Sequence, residues 1–242
     1  MITLIGTIHT DLKLEERLPK MLSIEKPDII TLEYDDNESL SRIVKDNSKL
    51  GLKLIKEGLK DKINEKYFDA IINFIKKNLE VNEYTICQDY VNKNNLPLYF
   101  VDKYEEMNPF WMNRIVLQIL NNLDTIINTS IKIEEGGIDP INLLGYFEQR
   151  IEEKYTEYKK AYINNSSYQT KYVTSNLSKG GNIKNILERD NHMASEIRKI
   201  YTPNLKLVHI VGLYHLLNDS KKRTLYSRLK DLNPKRRLLN EV

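Results

Sequence analysis

The stretch Ile2-Thr3-Leu4-Ile5-Gly6-Thr7-Ile8-His9 decides the architecture. Its Ile- and Leu-rich run reads as a strand buried on both faces, as in a parallel sheet covered by helices. Working outward, Leu14, Leu18, Met21 and Leu22 recur at helical spacing. Lys26-Pro27 ends that helix, because proline offers no N–H and its ring clashes with the preceding turn. Asp28 to Glu33 then reads as a second strand, which makes a β-α-β opening. Two later apolar runs, Leu98 to Asp102 and Leu205 to Gly212, complete a small set of strands.

The segments between them read as helices. From Asn37 to Asn95 the pattern is helical, with Phe68, Ile71, Ile72, Ile75 and Leu79 on one face. Asn108-Pro109 is a cap and first-turn pair for a helix carrying Trp111, Ile115, Ile119 and Leu123, and Asp139-Pro140 opens another towards Tyr162. Residues 164–182 are polar and read as a mobile surface loop, with a lid over the site as the alternative. A helix from Ile183 to Tyr201 precedes the last strand, and Leu225, Leu229 and Leu232 suggest one more helix after it. The expectation is one α/β domain over 1–242, with a small, mostly parallel central sheet flanked by helices. Helical insertions at about 37–95 and 105–182 would form its cap.

Composition narrows the partners. The 242 residues, 40% of them hydrophobic, suffice for one sizeable core. Lys and Arg number 37 against 34 Asp and Glu, and this evenly spread charge of +3 argues against nucleic acid. The basic cluster from Lys221 to Arg237 reads as a solvated helix face and tail. The single cysteine, Cys87, excludes an intrachain disulfide and a Cys-rich zinc site, and a buried, inert thiol is expected. No apolar stretch approaches the roughly 18 residues of a membrane span. The first residues carry no basic segment and cleavage site of a leader. A cytoplasmic protein without a membrane span, acting on a peptide or small molecule, is the expectation.

The strand ends carry chemistry that hydrophobicity does not require. His9 follows the first strand, Glu33 ends the second, Asp102 the third, and His215 follows the last. In a parallel open sheet such ends share one edge, where ligands and catalytic groups gather. Gly6 and Gly212 each stand three residues before a histidine and let the backbone turn sharply or approach a ligand. The other two histidines differ: His209 lies inside a strand, and His192 is four residues from both Glu188 and Glu196 on a helix, a surface pattern. On that helix Asp190 falls near the centre of the apolar face, with Arg189 on its flank and Glu188 almost opposite. A carboxylate so placed needs a partner.

Leu4-Ile5-Gly6-Thr7-Ile8-His9, Pro27 to Glu33, Glu188-Arg189-Asp190 with Met193-Ala194, and Val211-Gly212-Leu213-Tyr214-His215 resemble, in order and spacing, the TraB/PrgY/GumN family, related to the Tiki proteases. The resemblance implies a fold like that of the erythromycin-esterase and ChaN-type proteins. It also implies a site built from His9, His215, Glu33 and Arg189. The Tiki branch is described as metal-dependent peptidases, and pheromone-shutdown members limit a secreted peptide signal.

On that basis the expected activity is metal-assisted hydrolysis of a peptide. His9, His215 and Glu33 would hold a divalent Mn, Co or Zn ion with one position open for water. Arg189 would stabilise the oxyanion, while Asp102 or Asp190 orients a ligand histidine. Three alternatives stand beside it. One is metal-free, with a histidine as general base oriented by Glu33. Another is a binding protein that sequesters a peptide or small ligand, and the last is an interaction module working through its cap.

Overall fold

The computed structural model describes residues 1–9, 11–34, 52–53, 56–60, 62–80, 83–102, 134–137, 139, 142–163, 169, 171, 173–174 and 183–242. The helix expected around Trp111 and most of the polar 164–182 segment lie outside them. Five parallel strands form one sheet: β1 (Ile2–Thr7), β2 (Ile29–Leu32), β3 (Leu98–Phe100), β4 (Leu207–Gly212) and β5 (Lys235–Leu238), in the order β3-β2-β4-β1-β5. The fold is α/β, with helices flanking the sheet. β1 and β4 lie in register with Ile5 opposite Ile210 and Thr7 opposite Gly212, so both chains leave the sheet at the same level. Every residue of β1 and β2 is buried, as an apolar run without alternation requires.

Helix α1 (Leu14–Glu25) buries Leu14, Leu18, Met21 and Leu22. It stops where Lys26, at φ 49°, donates its N–H to Leu22 O (2.9 Å) ahead of Pro27. Among the described residues, further helices with set bounds are α2 (Glu65–Glu80), α3 (Glu83–Asn94), α4 (Leu143–Ile163), α5 (Ile183–Ile200) and the single turn α6 (Leu225–Arg228). None of the described helices is long and apolar enough to cross a membrane.

Two compact units emerge. The first takes in Met1–Asp36, Val81–Tyr104 and Ile151–Val242 and contains the whole sheet; the second takes in Asn37–Glu80 and Glu105–Arg150. The second unit has its own core of Leu59, Tyr67, Ile71, Ile72 and Leu143. The helical excursions are therefore shorter than the pattern suggested. Helix α3 belongs to the sheet-bearing unit, burying Ile86, Cys87 and Val91 and packing on α1 and β2. Burial pushes the Cys87 thiol pKa up, so the thiol stays protonated and inert.

The basic C-terminal run departs from its expected form. One α-helical turn forms, capped by Thr224, then a 3₁₀ turn (Lys230–Leu232), and Asn233 at φ 49° leads into β5, paired with β1 from Thr3–Lys235 to Gly6–Leu238. A strand at the edge of a sheet tolerates charged residues, whose stems lie along the sheet while their heads seek partners. Lys235 Nζ finds buried Glu25 Oε1 at 2.8 Å, and Thr3 Oγ1 donates to the same carboxylate at 3.2 Å.

Candidate functional site at the carboxyl edge of the sheet

All six residues singled out by sequence, His9, Glu33, Asp102, Arg189, Asp190 and His215, gather in the sheet-bearing unit. Glu33 follows β2, and its own N–H donates to Ile210 O at 3.0 Å, which holds it level with the end of β4. Its carboxylate takes three donors: Arg189 Nη2 and His215 Nε2 approach Oε1 at 2.7 and 3.2 Å, and the Gly212 N–H reaches Oε2 at 2.8 Å. Burial alone would raise the pKa of Glu33. The positive charge of His215, with Arg189 and His9 behind it, outweighs burial and holds the carboxyl well below the usual range. Glu33 is a fixed anion.

Arg189 bridges two carboxylates. Its Nε donates to Asp102 Oδ1 and Oδ2 at 3.1 and 3.0 Å while Nη2 holds Glu33. A planar guanidinium makes this fork; an ammonium does not. The role visible in the contacts of Arg189 is to fix Glu33 against buried Asp102.

The two histidines are held alike and exposed differently. His215, in the 3₁₀ turn Leu213–Leu216, is 8% exposed, and its Nδ1 is hydrogen-bonded to Asp190, which is fully buried on α5. Burial disfavours the imidazolium, yet Asp190 and Glu33 on its two nitrogens raise its pKa well above the ordinary value. Burial also raises Asp190, against the pull of His215. Both directions leave a proton on the pair, and two flanking carboxylates place it on His215. Asp190 Oδ2 is buried without a hydrogen-bond partner among the described residues.

His9 lies just past β1 with 67% of its side chain exposed, and its Nδ1 meets Glu83 Oε1 at 2.9 Å. Thr7 Oγ1 donates to the same oxygen at 2.8 Å. The hydrogen bond to Glu83 raises the pKa of His9 despite some desolvation. In the neutral form Nδ1 carries the proton towards Glu83, which leaves a lone pair on Nε2. Glu83 escaped the sequence reading, since it opens helix α3 in a segment without a motif. Only the packing of α3 on the sheet brings it here.

The glycines of the two Gly-x-x-His segments work crosswise. A Cβ on Gly6 would lie 2.8 Å from Leu213 Cδ2 and Leu216 Cδ1, so Gly6 lets the turn bearing His215 pack down on β1. A Cβ on Gly212 would lie 3.5 Å from Glu33 Oε2, 3.6 Å from His9 Nε2 and 3.6 Å from His215 Cδ2. Gly212 has φ −59° and ψ 146°, open to any residue. Its want of a side chain makes space among three functional groups and relieves no backbone strain.

These contacts test the expected ion. Both Glu33 oxygens already accept hydrogen bonds, one from a guanidinium, and both nitrogens of His215 are engaged by carboxylates. Among the described residues no three His, Cys, Asp or Glu side chains are grouped to hold a metal ion. In this arrangement His9, His215 and Glu33 do not fit as a ligand set.

The remaining candidates stay apart. His209 is buried in β4 with Nδ1 3.0 Å from Thr31 Oγ1, and burial lowers its pKa to about 4. His192 and Glu188 face outward on α5, half-buried and exposed respectively. No family model, curated protein or solved structure matches the chain.

Proposed function

We propose that the protein is a hydrolase in which His9 acts as general base on a water molecule, and that peptides are its substrate class. One arrangement supports this above all: Glu83 holds His9 Nδ1, and His9 Nε2 turns to the same point beside Gly212 as Glu33 Oε2. A carboxylate has about four acceptor directions, and three donors reach Glu33, which leaves one on Oε2 for the water. His9 Nε2 takes the water's proton as its oxygen bonds to the scissile carbonyl carbon. The tetrahedral adduct then collapses with cleavage of the carbon–nitrogen bond, and His9 returns the proton to the departing nitrogen. His215 and Arg189 hold Glu33 as an anion throughout, and a positioned base of this kind supplies about 10²–10⁴-fold in rate. The choice of peptides rests on the resemblance to the TraB/PrgY/GumN family.

Wild type and His9→Ala, each with and without chelator, would be incubated with a mixed-sequence peptide library and fragments read by mass spectrometry. Cleavage by wild type that survives chelator and disappears in His9→Ala is the expected result. Cleavage abolished by chelator and restored by Mn, Co or Zn would return the reading to a metal-dependent enzyme. Peptide retention without cleavage would make the protein a binding module.

A further inference from the structure

The imidazole of His9 is exposed, yet the turn that carries it is anchored from inside the protein. We propose that Tyr155, on α4 in the sheet-bearing unit, is a positioning residue for His9; this rests on reading His9 as the base. Tyr155 is fully buried, and its hydroxyl sits between two points of the β1–α1 turn. It accepts the Ile8 N–H at 3.2 Å, directly before His9, and donates to Asp11 Oδ2 at 2.9 Å, two residues after it. Asp11 is itself part of the turn: its N–H donates to Ile8 O at 2.8 Å, and its Oδ1 accepts the Lys13 N–H at 2.9 Å. Arg17 Nη1 donates to Asp11 Oδ2 at 3.0 Å, and Arg17 Nη2 is paired with Glu152, one turn before Tyr155 on α4.

Among the described residues, the hydroxyl is therefore the side-chain group that grips the backbone on one side of His9 and a carboxylate on the other. Burial, with Asp11 adding to it, raises its pKa, so it remains a proton-bearing phenol and keeps both roles. A two-residue reach from a fixed hydroxyl sets where the imidazole swings, and with it the meeting of Nδ1 with Glu83 and of Nε2 with the point shared by Glu33. A phenylalanine ring fills the same core volume and lacks only the oxygen. Packing thus survives the substitution while the grip on the turn is lost.

The test is Tyr155→Phe in the full chain with 13C-labelled histidine, following each imidazole resonance against pH. The groups facing His9 are Glu83, Glu33 and His215, all unchanged in the variant. If the hydroxyl positions His9, the His9 midpoint falls on the order of half a pH unit as its charge-assisted bond to Glu83 loosens. On a cleaved peptide, kcat falls about tenfold with KM unchanged. An unchanged His9 midpoint in a folded Tyr155→Phe overturns the proposal, even where wild type hydrolyses peptides. A shifted midpoint in a protein without hydrolysis leaves it standing while the enzymatic reading falls. Should Tyr155→Phe not fold, Asp11→Asn removes the negative acceptor of the same hydroxyl, and its His9 midpoint decides in the same two directions.

Discussion

Gly212 and His9 belong to different Gly-x-x-His segments, yet a Cβ on Gly212 would stand 3.6 Å from His9 Nε2. The Gly212 backbone suits alanine, and contacts of 3.5–3.6 Å are ordinary. Gly212→Ala should therefore fold and keep its melting temperature while its methyl takes the place of the attacking water. Peptide cleavage should fall about 100-fold or more, within the range of general-base catalysis. Gly6→Ala should do the reverse. Its Cβ at 2.8 Å from Leu213 and Leu216 overpacks the turn and costs about 1–3 kcal/mol, seen as a lowered Tm. Equal effects on stability at the two glycines would overturn this division.

Asp190 is fully buried and bound to His215, whose side chain is only 8% exposed. Removing one member of such a pair strands the other, so Asp190→Ala should cost about 3–5 kcal/mol in urea unfolding. Glu188→Ala, two residues away on the exposed side of α5, should stay within about 0.5 kcal/mol. Comparable losses would mean that the His215–Asp190 pair contributes little.

Two buried histidines give stability opposite pH dependences. Burial lowers His209 from 6.5 to about 4, so between those values the unfolded chain binds a proton that the folded chain refuses. Its contribution is complete above about pH 6.5 and is lost as the pH falls towards 4. At ~1.4 kcal/mol per pK unit this is roughly 3 kcal/mol. His215 is raised, so its contribution is complete below 6.5 and is lost as the pH rises through its folded value. Unfolding of His209→Gln across that acid window should show a flattened limb. An acid limb as steep as in wild type would assign the loss to other groups.

The sheet and most of the site were legible because both depend on local signals. Runs such as Leu4-Ile5 and Ile29-Ile30 can be satisfied only by two-sided burial. Strand ends in a parallel sheet share an edge, so His9, Glu33, Asp102 and His215 could be placed together before their contacts were seen. Asp190 betrayed itself by standing on an apolar face. β5 was illegible because Lys-Arg-Arg-Leu looks solvated, and only pairing with β1 and the anchor on Glu25 makes it a strand. Glu83 and Tyr155 carry no local mark at all. Their roles arise from contacts 74 residues from His9 and 147 from Ile8, which helix packing alone brings about.

Arg189 offers the sharpest separation of charge from geometry. Its Nε faces Asp102 at 3.0 and 3.1 Å while Nη2 holds Glu33 at 2.7 Å, a span that needs several donors in one plane. Arg189→Lys preserves the charge and loses the fork, so Glu33 should be free to shift from the point it shares with His9. Hydrolysis should drop roughly 10- to 100-fold, the cost of about an ångström of misplacement. Arg189→Ala also removes the cation shared by buried Asp102 and part-buried Glu33 and should cost about 3 kcal/mol in stability. With the guanidinium gone, Glu33 is held down less firmly, and protonation reaches it at a higher pH. The Glu33 carboxyl midpoint, followed by 13C NMR of labelled glutamate, should then move upward in Arg189→Ala relative to wild type. A Glu33 midpoint that stays in place, with Arg189→Lys as active as wild type, would show that Arg189 serves neither the position nor the charge of Glu33.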